Sequence, residues 1–337
     1  MDDDVVIDAN LMKKFEICAN FKSEGYITSI DLLNNIIATT NTKNIIKIYD
    51  ICERKEKLTY SIKDLVVNDI KLLKKDLKEN NELCINYEIE ECLFTAYENK
   101  KKTKIYHYDI INKKVLHIYE LSDEIIDNSF VLHPNTHIFI VALKNKELIV
   151  YNIKNKSIIY KTNVQNNNCI VCYNKSGILY GYTGNVNTIY LCSCFGDDYN
   201  DDYFASFDIS KVTVNDNYCI YMDFSHDEKK ILITTKNNSI YTVDAYTGHF
   251  LYSYNFMYEK NTPHISSYLS YPVFSFDSNF VLSGGQDGHL HIWDVQGNHV
   301  IKNNIKNNIL FIKWVYNRLA FVTTSNHLLI WKPSKNV

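Results

Sequence analysis

Residues Pro272–Gly297 read PVFSFDSNFVLSGGQDGHLHIWDVQG. A strand ends in Phe274-Ser275-Phe276, Asp277-Ser278 makes a turn, and Phe280–Ser283 forms the next strand. Asp287-Gly288 is a tight turn of the Asp-Gly hairpin type, and Leu290–Asp294 closes the unit on Trp293-Asp294. Short strands joined by turns, with no helix between them, make an antiparallel meander. Met222–Gly248, MDFSHDEKKILITTKNNSIYTVDAYTG, follows nearly the same order.

The same grammar extends in both directions. Apolar runs rich in Ile, Val, Tyr and Phe recur at Ile27–Leu32, Ile36–Thr40, Ile45–Tyr49, Ile138–Leu143, Leu148–Ile153, Ile231–Thr235 and Ile240–Val243. Asn, Asp, Lys and Ser clusters separate them, which is the strand-and-turn signature. No stretch holds a helical period over several turns. Lys74–Glu91 comes nearest, and Asn80-Asn81 interrupts it.

Strand triplets end on an aromatic or apolar residue followed by a polar one: Tyr49-Asp50, Tyr108-Asp109, Tyr151-Asn152, Val243-Asp244, Trp293-Asp294 and, as a variant, Trp331-Lys332. The spacings are 59, 43, 92, 50 and 38 residues. The longest holds two units, with the missing ending near Leu191-Cys192-Ser193. Seven units of this period, each of four strands, predict an all-β fold: a single seven-bladed WD-repeat β-propeller. It spans 11–333, behind a short acidic N-terminal extension at 1–10. Phe15–Phe21 is expected to supply the outer strand of the blade ending at Trp331, which closes the ring and removes an exposed edge. Lys74–Glu91 and Gly196–Lys211 exceed the repeat and read as inserted loops. The second carries Asp197, Asp198, Asp201 and Asp202, taken as a solvated acidic stretch in preference to a contact for a basic partner.

Composition bounds the function. The chain has 337 residues, 46% hydrophobic and 22% charged, with net charge −3. That is globular composition, and it excludes a strongly basic nucleic-acid-binding surface. No apolar run reaches bilayer length, and the acidic Met1–Asp4 is unlike a secretory leader. Nine cysteines in such a chain read as free thiols, which places it in the nucleus or cytosol. There are 40 Asn, 41 Ile and 26 Tyr but only 10 Gly and 4 Pro, and Arg54 and Arg318 are the sole arginines. Asn, Lys, Ile and Tyr share A/T-rich codons, so Asn is expected in turns where Gly usually serves.

Four places carry a closer resemblance: Phe15–Phe21 before Ile27-Thr28-Ser29-Ile30-Asp31; Phe224-Ser225 leading to Ile231–Thr235, Asp244-Ala245 and Gly248; Phe276-Asp277-Ser278 leading to Phe280, Asp287-Gly288 and Leu290–Trp293; and Ser325-Asn326 with Leu329–Pro333. In this order the chain resembles the small WD-repeat subunit of COMPASS-type histone methyltransferase complexes, shared in several lineages with RNA 3′-end-processing or phosphatase complexes. The resemblance implies a noncatalytic nuclear scaffold. Implied partners are a segment of a SET-domain methyltransferase, a phosphatase-targeting or processing factor, and the phosphorylated C-terminal repeats of RNA polymerase II. Direct nucleic-acid and membrane binding are not expected. The alternatives are a WD-repeat scaffold of a trafficking or ubiquitin-ligase assembly, cytoplasmic in that case, and a propeller enzyme with its site in the central channel.

Several constellations have competing readings. Cys169/Cys172 and Cys192/Cys194 could form a zinc site, but CxC chelates poorly and both pairs lie in strands, so buried packing is the favoured reading. Ser225-His226-Asp227 holds three triad residue types in adjacent positions, which rarely converge, so it reads as a turn between the second and third strands of a blade. His133-Pro134-Asn135 is its counterpart in the third blade. No phosphate cradle is present; Gly284–Gly288 is a hairpin. No convergent carboxylates, metal ligands or nucleophile are evident, so no catalytic residue, cofactor or metal is expected. The residues singled out are structural: Asp50, Asp109, Asp244, Asp287, Trp293, Asp294 and Trp331. In WD repeats the turn Asp accepts backbone hydrogen bonds and the aromatic of the third strand packs between blades. Partner-contacting residues are not assigned.

Overall fold

A computed structural model describes residues 7–62, 65–74, 89–98, 102–194, 199, 202–213, 217–256, 270–305, 308–315 and 320–334. Seven four-stranded antiparallel sheets form a seven-bladed β-propeller. The inner strands are Ile27–Leu33, Val66–Leu72, Ile125–Leu132, Val171–Tyr173, Cys219–Phe224, Val273–Phe274 and Phe311–Trp314. In blades one to six the chain then runs outward through three more consecutive strands. The seventh blade takes its outer strand, Phe15–Lys22, from the other end of the chain. Seven positions pair, from Phe15↔Pro333 to Lys22↔His327.

Burial explains why the middle strands carry unbroken apolar runs. Ile138–Leu143 and Ile45–Asp50 are buried throughout, because each blade is covered on both faces by its neighbours. The outer strands, such as Lys55–Ser61 and Lys114–Glu120, are largely exposed. The core is therefore a ring of layers between blades. One layer, around Trp293, joins Leu232, Ile240 and Tyr254 of the fifth blade to Phe274 and Val281 of the sixth. A short helix, Ala9–Lys13, capped by the Asp8 carboxylate, adds Met12 to the layer between the sixth and seventh blades, with Ile7 beside it.

The missing third-strand ending lies where the spacing put it, in Thr188–Ser193. Gly196–Lys211 is not simply an inserted loop. Tyr203–Asp208 within it is the outer strand of the fourth blade, held by the Cys192↔Tyr203 to Thr188↔Asp208 ladder. Asp202 is exposed, whereas Asp197, Asp198 and Asp201, like most of Lys74–Glu91, lie outside the described residues. Ser225-His226-Asp227 and His133-Pro134-Asn135 join inner to second strands, one connection earlier than expected.

The turns also correct an expectation. Asn does adopt positive φ at Asn34, Asn44, Asn128 and Asn238, but Arg54, Lys113 and Lys156, each in the turn after a third strand, do so as well. The reason is the residue that ends each third strand. Asp50 Oδ1 accepts from the amides of Cys52 and Glu53 at 2.8 and 3.0 Å, and Asp109 Oδ1 from that of Asn112 at 2.8 Å. Asp244 Oδ1 takes the amides of Tyr246 and Thr247, and Asp294 Oδ1 those of Gln296 and Asn298. This side chain fixes the turn, so the left-handed position four residues on from Asp50 and Asp109 tolerates a long side chain. At Asp287-Gly288 only Gly288 has positive φ, 74°, so the turn is not a two-residue hairpin of the primed type.

Candidate functional site

The inner strands surround a central channel of about 1300 Å³. Residues two apart on a strand face the same way, so pairs of side chains point inward: Ser29 and Asp31, Asp69 and Lys71, Tyr221 and Asp223, Phe311 and Lys313. Asp31, Asp69 and Asp223 therefore do converge on one cavity, together with Lys71, Lys175 and Lys313. Sequence reading missed them because they come from separate blades. The signal was present as polar residues alternating along the inner-strand segments ITSIDLL, VVNDIKL, CIYMDF and FIKW.

Two of the carboxylates are paired. Lys71 Nζ lies 3.2 Å from Asp69 Oδ1, and Lys175 Nζ lies 2.6 Å from Asp223 Oδ1. Asp69 also accepts from the Ser29 hydroxyl, and its amide donates to Thr95 Oγ1 at 3.0 Å. Asp31 Oδ2 accepts from the Leu72 amide at 2.8 Å. Burial raises the Asp31 pKa, against the lowering pull of Lys71 and Lys313. Burial lowers that of Lys313, and the Lys71 charge adds to the effect.

At one mouth of the channel the inner-to-second-strand turns are laced together. Lys74 Nζ donates to Pro134 O at 2.6 Å, and Asn135 Nδ2 to Ser176 O at 2.7 Å. Asn174 Nδ2 donates to Glu228 Oε2 at 2.9 Å, and the Asp227 amide to Ser278 Oγ at 3.0 Å. The belt thus runs from the second blade to the sixth. His133 Nδ1 accepts the amides of Asn135 and Thr136, so Nε2 carries the proton and donates to Gly177 O at 2.7 Å. Gly177 must be glycine: its φ is 77°, and a Cβ would sit 2.5 Å from the His133 ring.

Ser225, His226 and Asp227 form no relay. Ser225 Oγ donates to Asp227 Oδ1 at 2.5 Å and accepts from the Lys230 amide at 3.0 Å, while the His226 ring packs against Phe276. Burial, aided by Lys175, pushes the His226 pKa down to about 4, and burial also lowers those of His133, His291 and His299. Each of these groups binds its proton more weakly folded than unfolded. Their contribution to stability is present above pH ~6.5 and is lost as pH falls towards about 4. We expect the thermal midpoint to be level from pH 8 to 7 and to fall progressively at pH 6, 5 and 4. A midpoint unchanged at pH 5 would contradict this.

The four cysteines Cys169, Cys172, Cys192 and Cys194 are buried in one apolar layer with Cys219. Burial pushes the Cys194 thiol up to about 12, and its Sγ lies 3.1 Å from Gly177 O. Among the described residues no group of three or more His, Cys, Asp or Glu side chains has a metal-holding arrangement.

The structural residues of the sixth blade form a chain. His299 Nε2 bonds His291 Nδ1 at 3.0 Å, and His291 Nε2 bonds Asp287 Oδ1 at 3.0 Å. Lys302 Nζ also reaches Asp287 Oδ2 at 3.0 Å. Burial would raise the Asp287 pKa, but these donors hold it at about 2. The oriented His291 ring stacks on Trp293 at 5.6 Å, and Trp293 Nε1 donates to Asn255 O at 3.1 Å. Gly285 leaves room for the pair, since a Cβ there would lie 2.4 Å from Asp287 Oδ1. In the seventh blade Trp331 stacks on Phe321 at 5.5 Å, and its Nε1 donates to Thr323 Oγ1. Asp287→Ala removes the carboxylate that the fully buried His291 bonds through Nε2. It should lower folding stability by about 1–3 kcal/mol, read by denaturant titration. An unchanged midpoint would contradict the role.

Seven blades, capped third-strand turns and a ring closed by the N-terminal strand make the chain a seven-bladed β-propeller, consistent with a WD-repeat protein. It is 30% identical over 169 residues to Protein ANTHESIS POMOTING FACTOR 1 of Arabidopsis thaliana, covering 49% of this chain and 47% of that protein. It is 40% identical over 81 residues to WD repeat-containing protein 82 of Drosophila melanogaster, covering 23% of this chain and 24% of that protein. The matches thus span about half or less of these curated relatives. No protein-family model matches the chain. Among the described residues no helix is long and apolar enough to cross a membrane.

Proposed function

We propose that the chain is a noncatalytic interaction scaffold of the nucleus. It serves as a subunit of a COMPASS-like histone methyltransferase complex, a transcription-termination or RNA 3′-end-processing complex, or both. Short segments of a SET-domain methyltransferase, or of a phosphatase-targeting or processing factor, dock on loops at the blade ends, which a rigid ring holds in place. Phosphorylated RNA polymerase II repeats are a further partner on this reading. The observation that carries it is the 40% identity over 81 residues to WD repeat-containing protein 82. The pairing of Asp69 and Asp223 with lysines fits a structural use of the channel carboxylates. Capture on the tagged full chain from nuclear extract, read by mass spectrometry, tests the proposal. A SET-domain methyltransferase, or a phosphatase or processing subunit, is expected. Coat or ubiquitin-ligase subunits in their place would overturn it.

A further inference from the structure

One residue of the inner strands is held in a left-handed conformation. Asn128 has φ 62° and lies inside the strand Ile125–Leu132. Among the described residues, the other non-glycine residues of positive φ sit in turns or connections. The ladder to the second strand is irregular here, between Ile125 and Phe130. An irregularity of this kind re-aims a side chain, and a left-handed residue persists where surrounding contacts hold it.

Those contacts reach past the neighbouring blade. Asn128 Nδ2 donates to Ile220 O at 3.3 Å, so blade three bonds directly to blade five, its second neighbour. The Asn128 side chain also lies beside the hydroxyl of Tyr271, which stands just before the inner strand of blade six. The Tyr271 ring lies 5.4 Å from that of Tyr221 in blade five. It stacks on Phe311 of blade seven, with centroids 5.1 Å apart and planes inclined by 27°. The Tyr271 amide fixes the ring's place by donating to Leu310 O at 2.9 Å. Asn128, Tyr221, Tyr271 and Phe311 all line the channel.

We infer that Asn128 and Tyr271 form a brace across the channel, coupling blade three to blades five, six and seven without passing through blade four. Repeats packed side by side are coupled through their nearest neighbours. By that route a displacement of blade three reaches blade six through three successive seams. The brace makes it one step, carried by a hydrogen bond and a stack of rings. It also explains the residue type. Glycine would take this backbone conformation at no steric cost, but only a side chain with a donor reaches Ile220 O. The brace is independent of any protein docking on the blade-end loops.

Glycine substitution separates the brace from the backbone conformation. Asn128→Gly accepts the left-handed φ and removes the side chain, and Asn34→Gly does the same at an exposed turn with φ 55°. The brace predicts that Asn128→Gly melts below Asn34→Gly. It should also speed amide exchange in Cys219–Phe224 and 271–274 by about fivefold, as expected for the loss of one hydrogen bond. The inner strand of blade two, Val66–Leu72, is a direct neighbour of blade three and should exchange at the parent's rate. Deuterium uptake by the full chain, read by peptide mass spectrometry, follows all three segments. The parent gives a test without mutation: at low denaturant, Ile125–Leu132, Cys219–Phe224 and 271–274 should open with one common free energy. Equal midpoints for the two glycine variants, faster exchange confined to blades two to four, or separate opening of the three segments in the parent would each overturn the inference.

Discussion

Deletion of residues 1–22 is expected to abolish cooperative folding of the propeller. The loss has three parts. The ladder from Phe15↔Pro333 to Lys22↔His327 disappears, leaving the strand His327–Pro333 with an open edge. Phe15, 5% exposed, leaves its stack on Phe321 at 5.1 Å and its contact with Trp314 at 5.8 Å. Met12, fully buried, leaves the layer between the sixth and seventh blades. Burial of each of these two side chains contributes about 1.5–3 kcal/mol, before any ladder hydrogen bonds are counted. Set against a typical stability of about 5–15 kcal/mol, the sum is decisive. The truncated chain should aggregate or melt without a sharp transition, and a synthetic peptide of residues 1–24 should restore the transition in part. A truncated chain that melts with the parent's midpoint would show that ring closure does not depend on this strand.

Trp293→Ala is the second large effect. The indole is fully buried between the fifth and sixth blades and touches Tyr254, Phe256, His291 and His299. Truncation removes its transfer free energy and leaves a cavity, because the flanking sheets are each tied into their own ladders and cannot collapse inward. It also strips Asn255 O of its donor. Together these should lower stability by about 3–5 kcal/mol. Trp293→Phe keeps most of the ring volume and loses the N–H, so it should recover more than half of that loss. Chemical denaturation followed by circular dichroism reads both variants. A Trp293→Ala midpoint equal to the parent's would contradict the packing described here.

The repeat structure was legible because it rests on local chemistry. Asp50, Asp109, Asn152, Asp244 and Asp294 recur because a third strand must turn into the outer one, and a side-chain acceptor at that point satisfies the turn amides. Ring closure by Phe15–Phe21 was legible because an unpaired strand before the first triplet has one place to go. The outer strand Tyr203–Asp208 was less so: Asp201-Asp202 disguised its start, and its alternation is broken by a bulge opposite Leu191/Cys192. Ser225–Asp227 was assigned to the wrong connection because the sequence repeat and the structural blade are out of phase. The channel charges were hidden for a different reason. Asp31, Lys71, Asp223 and Lys313 are far apart in sequence, and only the closed ring sets them facing one cavity. Lysine in left-handed turn positions could not be foreseen from propensity, since Asp109 and Asn152 fix those turns from four residues away.

The role proposed for the chain is most directly tested in reverse. Purification of the SET-domain methyltransferase complex from the same cells, through a tag on the methyltransferase, should bring down this chain at one copy per methyltransferase by quantitative mass spectrometry. A complex that is active on histone and contains none of this chain would contradict the account.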